Sequence, residues 1–346
     1  MTLDMTVEQN EIRDSLRGVL ARPGDAWASL VNLGMTEIPF PESMGGAGYG
    51  AKDLSVVTAE LGRAMTVAPY LSSIVLAGST LLECATDDAC AEYVPAIAAG
   101  STTAALVTGY PFSVSNIDAH ANGRQLTLNG RQDFVVDGAE ADLLVVVANG
   151  QAGPELAVVD GTAPGVTRTP MEALDFTRAL TRVEFADVEA SRVGGSDLRS
   201  GLERAQALAL AAVASEQVGA ARACLDMSVD YAKTRQQFGR PIGSFQSIKH
   251  RLSDMSIAIE LAEAAVLDAA DAATDRDTAA FVTAVSTARV LATTASVFAA
   301  EESIQIHGGI GFTWEHPLHT YFRRAKTNEL LFGTVESHLE VVASGL

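Results

Sequence analysis

Cysteine is scarce in this chain: Cys84, Cys90 and Cys224 are the three in 346 residues. An odd, sparse set without metal-ligand spacing excludes a disulfide framework and points to a reducing compartment, so the expected location is cytoplasmic. Positive charge is also short. With 24 Lys and Arg against 43 Asp and Glu, the net charge is −19, and the chain lacks the basic surface that nucleic acid requires. An anionic ligand would have to be met by locally placed cations, because the overall field repels it. Long apolar runs are missing too. Ala205 to Ala214 is bracketed by Arg204 and Glu216 at about a dozen residues, short of the roughly 20 that a membrane span needs. Met1 to Asn10 has two acidic residues and no apolar run, which is not the pattern of a signal peptide. There is no internal repeat, no low-complexity segment and no metal constellation. His307 and His316 therefore read as packing or capping residues.

What is present suffices for a large core: 48 % of the residues are hydrophobic, in a chain long enough for two or three domains. Up to about Gly100 the pattern is helical. Thr6 to Leu20 is amphipathic, Trp27, Leu30 and Leu33 continue an apolar face up to Gly34, and Leu54–Met65 and Ile74–Leu82 are further helices. The turn-rich passage from Ile38 to Gly48 between them reads, by composition alone, as a surface loop. From about Ala104 to Val188 short β-rich runs take over. They are Leu126–Leu128 before Asn129-Gly130, Leu143–Val147 before Asn149-Gly150, and Val183–Phe185. Ser196 or Asp197 then starts a second helical region. Its first helix, about Leu202 to Arg235, is apolar on most faces, Ser244 is placed as cap of the second, and Asp277 as cap of the third, which ends at Gly308. Shorter helices follow Pro317 and Thr334.

The most informative stretch is Ile304–Thr334, IQIHGGIGFTWEHPLHTYFRRAKTNELLFGT. Gly308-Gly309 ends a long helix, and two adjacent glycines allow positive φ and bare backbone N–H groups that an anion can approach closely. Taken alone, such a pair is a helix stop followed by a turn. Pro317 opens the next helix, with Arg323, Arg324 and Lys326 expected near its C-terminal end, where cations are favoured. Upstream, Tyr231–Met255 reads YAKTRQQFGRPIGSFQSIKHRLSDM and sets Arg235, Phe238 and Gln246 in order.

Together these two stretches resemble the C-terminal domain of the acyl-CoA dehydrogenase family of flavoproteins, through its R-x-x-F-G-x-x-I-x-x-F-Q and Q-I-x-G-G-x-G-(F/Y) segments. The passage Pro41-Glu42 through Gly45-Gly46 to Gly48 is similar to that family's P-E-x-x-G-G-x-G loop. The resemblance is greatest to short, divergent actinobacterial-type members that form heteromeric complexes and act on bulky CoA esters such as steroid side chains. It implies an α+β fold: an N-terminal α-helical domain over 1-100, a middle antiparallel β-domain over 101-195 and a C-terminal four-helix-bundle domain over 196-346. Family members are tetramers that oxidise an acyl-CoA thioester to the trans-2-enoyl-CoA. A glutamate removes the α-proton, the β-hydride passes to the flavin of FAD, and an electron-transfer flavoprotein takes up the electrons. Burial beside an apolar acyl chain raises a carboxylate toward neutrality and suits it to that task. The resemblance also implies that each flavin is shared between two subunits. The neighbour's residues that hold the pyrophosphate and adenosine match Arg235, Phe238, Gln246, Gln305, Gly308 and Gly309 here.

Several departures accompany the match. The family's base immediately precedes the Gly-Thr pair after R-x-A-K, and here Phe332 precedes Gly333-Thr334. In branches that place the base in the first bundle helix, counting back from Arg235 leads to Ala209-Leu210. Neither position can accept a proton. The flavin-facing phrase W-(I/T)-(S/T)-N-G becomes Phe134-Val135-Val136-Asp137-Gly138, and Val136 brings a hydroxyl's shape without its donor. In place of T-E-x-x-A-G-S-D stands Thr108-Gly109-Tyr110-Pro111-Phe112-Ser113. Glu216 lies two turns beyond Ala209, about 10 Å along the helix, and reads as a buried or interface carboxylate with a basic partner. Glu315 matches an acidic position without catalytic duty. Three functions are weighed. The first is a half-site subunit that lacks the catalytic Glu and completes the FAD site of a catalytic partner chain. The second is a complete homomeric dehydrogenase with a relocated base, for which Glu329 is the candidate although a solvated role is the default for any glutamate. The third is a flavin-free binding or scaffold protein on the same fold.

Overall fold

The computed structural model of the chain describes residues 5–109, 112–123, 125–195, 197–274 and 278–345. Helix α1 (Val7–Leu20) opens on a capping box: the Thr6 hydroxyl accepts from the Gln9 N–H at 3.2 Å, and the Gln9 side chain accepts from the Thr6 N–H at 3.1 Å. Asp25 caps α2 (Ala26–Asn32). After a 3-10 turn at Glu42–Met44 come α3 (Ala51–Arg63), a π-helix (Tyr70–Gly78), α4 (Ser79–Cys84) and α5 (Asp87–Ala98), which Thr86 caps. The run Ile74–Leu82 is thus the middle of a longer segment whose first half is π-wound. Strands β1 (Ala104–Val107) to β7 (Leu180–Arg192) follow, and then α6 (Leu198–Thr234). By internal contacts the chain divides into two compact units, each discontinuous in sequence: Gly24–Gly50 with Val67–Ala209, and Met1–Pro23 with Ala51–Thr66 and Leu210–Leu346.

The first unit holds the sheet. Between β1 and β7 lie β2 (Ile117–Asn122), β3 (Gln125–Val136), β4 (Leu143–Gly150), β5 (Gly153–Asp160) and β6 (Val166–Met171). The pairings β4–β2, β2–β3, β3–β7, β7–β5 and β5–β4 return to their start, so five strands close on themselves, with β1 on β4 and β6 on β7. Most pairs are antiparallel, but β1 and the start of β2 run parallel to β4. Inside lies an apolar core that includes Leu126, Leu128, Leu144, Val146, Val159, Val183 and Val188. Asn129-Gly130 is not the turn that its sequence suggests. β3 runs through it with a register shift, because Gly130 at φ +134 sits where a Cβ would be 2.3 Å from the Asn116 carbonyl oxygen. The hairpin turn is Gln151-Ala152, flanked by the pair Gly150 and Gly153.

The second unit is helical. It combines α1 and α3 with α6 from Leu210 onward, α7 (Gln246–Ala272), α8 (Thr278–His307), α9 (Leu318–Leu331) and α10 (Val335–Ser344). The Asp197 carboxylate accepts from the Ser200 N–H at 3.4 Å and caps α6; Ser196 and Asp277 lie outside the described residues. Ser244 does not cap α7. It ends a 3-10 turn closed by the Phe245 N–H on the Ile242 carbonyl at 3.0 Å, and α7 starts after Phe245 with no side-chain cap bond. Thr334 caps α10 through the Ser337 N–H. Arg323, Arg324 and Lys326 lie in the middle of α9 rather than in its last turn, which has no basic residue. By length and composition α6 and the run Ala279–Phe312 are apolar enough to cross a membrane, contrary to the expectation of no such stretch, because each continues beyond the short run visible in sequence. The apolar window of α6 is 89 % buried within the protein, as in a bundle's core helix.

α3 and α6 touch backbone to backbone. A Cβ on Gly62 would stand 2.0 Å from the Glu216 carbonyl oxygen, and one on Gly219 would stand 1.8 Å from that of Ala59. Salt bridges lie beside the contact, Arg17 of α1 with the buried Glu60 at 2.8 Å and Arg63 with Asp226 at 2.7 Å.

Candidate functional site

At one end of the helical unit the end of α6, the start of α7 and the end of α8 come together. α6 leads into a hairpin of β8 (Gln236–Gln237) and β9 (Arg240–Pro241), whose tip is Phe238-Gly239. Both tip residues are left-handed, at φ +53 and +76, as a two-residue type I′ turn requires. Glycine adopts that conformation freely, whereas a phenylalanine is strained in it by about 1–2 kcal/mol. Phe238 nonetheless holds this strained position while 91 % exposed, with an edge contact to Phe245 at 6.0 Å. The Arg240 guanidinium lies over the Phe245 ring at 4.2 Å. Arg235 and Gln246 are exposed beside it. Lys233, Arg235, Arg240, Lys249 and Arg251 fall in a stretch, Tyr231 to Arg251, that has no acidic residue. A chain of net −19 concentrates cations here.

Gln305 is exposed on the last turn of α8, and Gly308, at φ +63, ends that helix as its sequence predicts. No described atom lies within 4 Å of where a Cβ would stand on Gly308 or Gly309. The turn is shaped from beneath by His307. Its ring stacks on Tyr231 of α6 at 4.3 Å and meets His316 at 4.5 Å, and its Nδ1–H donates to the Ser303 carbonyl at 2.8 Å. His316 Nδ1 accepts from the Leu318 N–H at 3.4 Å at the start of α9. Packing for His307 and capping for His316 are what the sequence suggests. Beyond the turn, Phe312 and Trp314 are 84 % and 73 % exposed, and Trp314 sits between His319 at 4.7 Å and the Arg323 guanidinium at 5.0 Å.

The two positions at which the resemblance implies a proton acceptor carry side chains that cannot accept one. Phe332 follows the last turn of α9 and is 5 % exposed. Ala209 is buried in α6. Glu329 is tied to Lys326 at 2.5 Å on the surface of α9. Glu216 is buried, and its Oε1 accepts from Arg324 Nη1 at 2.8 Å and Asn328 Nδ2 at 3.3 Å, which bears out its reading as a buried carboxylate with a basic partner. Glu315 is exposed. Among the described residues no group of His, Cys, Asp and Glu could hold a metal ion.

Sequence reasoning missed what fixes Phe332 in place. Arg289 of α8, fully buried, donates through Nη1 to the Gln217 side-chain oxygen and through Nη2 to the Asn328 carbonyl at 2.8 Å. The guanidinium thus meets the C-terminal end of α9, where positive charge is favoured. His338 Nε2 donates to the Phe332 carbonyl at 3.1 Å and stands 2.9 Å from where a Cβ on Gly333 would be. Burial, and then the Arg289 charge, push the His338 imidazole down to about 4. A signal was available: Arg289 is the one cation in the apolar run FVTAVSTARVLATTASVFAA, and a lone charge in such a helix needs a buried partner.

In the sheet unit, the Phe134-to-Gly138 phrase closes β3 with two left-handed residues, Phe134 at φ +64 and Asp137 at φ +52, beside a second register shift. Val136 is buried, and the Asp137 carboxylate accepts from Ser72 of the π-helix at 2.7 Å. The loop after β1 is closed by a bridge between Gly109 and Ser113; Tyr110 and Pro111 lie outside the described residues.

A closed sheet between helical regions, followed by a bundle with a glycine turn and a cationic hairpin at one end, defines the architecture of a flavoprotein dehydrogenase. Comparison with known proteins fixes the family. The descriptions "Acyl-CoA dehydrogenase, N-terminal domain" and "Acyl-CoA dehydrogenase, C-terminal domain" match residues 6–101 and 206–346. Acyl-CoA dehydrogenase IpdE2 of Mycobacterium tuberculosis is 37 % identical over 310 residues, covering 90 % of this chain and 81 % of that protein. The chain belongs to the acyl-CoA dehydrogenase family, whose members are FAD-dependent oxidoreductases. Among solved structures, the steroid ACAD Tcur3481-Tcur3483 in its G363A variant superposes with a TM-score of 0.88 at 26 % identity, over 98 % of this chain and 97 % of that one. The ChsE4-ChsE5 complex of Mycobacterium tuberculosis superposes with a TM-score of 0.87 at 25 % identity, over 99 % and 98 %.

Proposed function

We propose that this chain is a half-site subunit of a heteromeric acyl-CoA dehydrogenase, lacking the catalytic glutamate and completing the FAD site of a partner chain. The observation that carries this reading is Phe332: the place of the family's base is filled by a buried phenyl ring, while the carboxylates nearby are engaged, Glu216 with Arg324 and Glu329 with Lys326. Two similar structures are of paired chains, Tcur3481-Tcur3483 and ChsE4-ChsE5. That supports a division of labour between this chain and a catalytic one, with the family's three-domain layout over 1-100, 101-195 and 196-346.

The tail-side residues suit the cofactor. Arg235 offers a guanidinium fork to the pyrophosphate, Gly308 and Gly309 offer backbone with open space where a Cβ would stand, and Phe238 offers an exposed face to a flat heterocycle. Gln246 and Gln305 are exposed amides on the same end. On the ring side, Val136 supplies shape and no hydrogen-bond donor. Bound FAD supplies the hydride acceptor; this chain's part is to hold the pyrophosphate and adenosine. The substrate is a CoA thioester with a bulky acyl group of steroid type, the class that the Tcur3481-Tcur3483 pair is described for. The electrons leave to an electron-transfer flavoprotein, in the cytoplasm.

The test is to express the chain alone and then with a catalytic partner, and to measure flavin absorbance and turnover. Little flavin alone and full flavin with activity in the complex is the expected result. Full flavin and turnover in the isolated homo-oligomer overturns the reading.

A further inference from the structure

Three of the chain's six histidines lie within thirteen residues of the Ile304–Thr334 stretch: His307, His316 and His319. They join the ends of three helices. His307 is the last residue of α8 and the first support of the 3-10 turn Gly308–Phe312, which folds back over it; a Cβ on Gly311 would stand 3.0 Å from the Cβ of His307. Tyr231 of α6 covers one side of the His307 ring, and His316 meets it at 4.5 Å.

The hydrogen bonds fix which nitrogens carry protons. A carbonyl only accepts, so His307 Nδ1 bears the hydrogen given to Ser303, and Nε2 is its basic site. A backbone N–H only donates, so His316 Nδ1 is unprotonated where it accepts from Leu318. A proton on His316 would set one N–H against another and remove the cap of α9. A proton on His307 would put a cation in a buried ring stack.

The charges around the two rings offer little compensation. On α6, Asp230 is exposed and paired with Lys233 at 3.5 Å. On α8, Glu302 is paired with Arg251 of α7 at 2.5 Å. In the connecting loop, Glu315 is exposed. On α9 stand His319 and Arg323, both of cationic type. Burial holds both rings below the ordinary histidine value; for His307 the bond to Ser303 opposes it in part, and a neighbouring imidazole lowers each ring further.

We propose that His307 and His316 are positioning residues of the Gly308-Gly309 turn: their neutral rings, His307 stacked on Tyr231 and tilted against His316, hold it closed for an anionic cofactor tail, and a proton on either ring releases it. The identity of what the turn receives rests on the half-site reading; the latch itself rests on the stack and the two hydrogen bonds. Since the lowered rings are neutral when closed and ordinary when open, the closed turn is favoured fully above about pH 6.5 and loses that advantage as pH falls below it. With two imidazoles taking up protons on opening, the opening constant rises as pH falls through the range of roughly pH 7.5 to 5.5.

The experiment is hydrogen–deuterium exchange on the full chain across that pH range, corrected for intrinsic exchange, following peptides over 304–317 against peptides from the middle of α7. Protection in the 304–317 peptides is expected to be lost progressively on acidification, while α7 stays constant. The double variant His307→Phe with His316→Phe keeps flat rings that bind no proton and should lose the pH dependence; His316→Phe alone should lose part of it. Unchanged protection in the wild type, or the same pH dependence in the double variant, overturns the proposal. A parallel flavin titration of the chain with its partner separates the two claims. If the complex takes up no flavin at any pH while exchange still follows pH in the wild type only, the latch stands and the half-site reading falls.

Discussion

Replacing Glu216 by alanine tests whether that carboxylate is architecture. The change leaves the Arg324 guanidinium inside the bundle without the oxygen it meets at 2.8 Å, and both side chains are less than a tenth exposed. Removing one member of a buried pair costs about 3–5 kcal/mol, since the other charge stays buried. The bond from Asn328, at 3.3 Å, adds about 1 kcal/mol. Against a total stability of about 5–15 kcal/mol for a typical protein, that is a large share. The companion variant, Glu216→Leu with Arg324→Met, removes both charges and keeps the volume, and such replacements are often close to neutral. Urea unfolding followed by circular dichroism, at one protein concentration so that any association is held fixed, should place the single variant well below the wild type. The double variant should recover most of the loss. A loss under about 1 kcal/mol for Glu216→Ala would show an exposed-pair magnitude and refute the reasoning, as would a double variant no better than the single.

Gly219→Ala should abolish most soluble protein, since a methyl cannot fit 1.8 Å from the Ala59 carbonyl oxygen; overpacking costs about 3 kcal/mol or more where backbone blocks relaxation, and recovery of the folded fraction measures it. Phe238→Gly relieves a left-handed residue whose side chain is 91 % exposed, so the isolated chain should be stabilised by up to about 1 kcal/mol while flavin occupancy of the reconstituted complex falls. Glu329→Gln removes only a partly exposed pair with Lys326, so stability should change by less than about 1 kcal/mol; bleaching of the complex's flavin by substrate should persist, and its loss would restore Glu329 as the base. His338, lowered from 6.5 to about 4, contributes stability that is whole above pH 6.5 and drains as pH falls toward 4. His338→Gln should therefore flatten that part of the stability profile, read as the urea midpoint at several pH values.

The elements carried by strong local signals were legible. Thr6 and Thr334 announce helix starts through their hydroxyls, Gly308 announces a helix end, and both are found as expected. The strand region was legible as a region but not in its turns: Asn129-Gly130 looks like a hairpin turn and is a bulge, because the partner strand β7 decides whether a glycine turns the chain or bends it. Ser244 failed as a cap for a similar reason, the preceding 3-10 turn having moved the helix start by one residue. At the site, the six tail-side residues were named by the resemblance of two short segments to the family's motifs, which places them as candidates. The Arg289 and His338 contacts on the end of α9 could not, because they join residues far apart in the chain whose only local trace is a charge in an apolar run.

The glycine contact between α3 and α6 has a consequence for how such a chain can change over time. Where two helices rest on side chains, compensating substitutions let them drift apart or slide as sequences diverge. Gly62 and Gly219 leave no side chain to exchange, so the distance between those helices is set by carbonyl oxygens and stays the same whatever happens in the surrounding bundle. A chain built this way can vary in its surrounding side chains and still keep this pair of helices at one spacing.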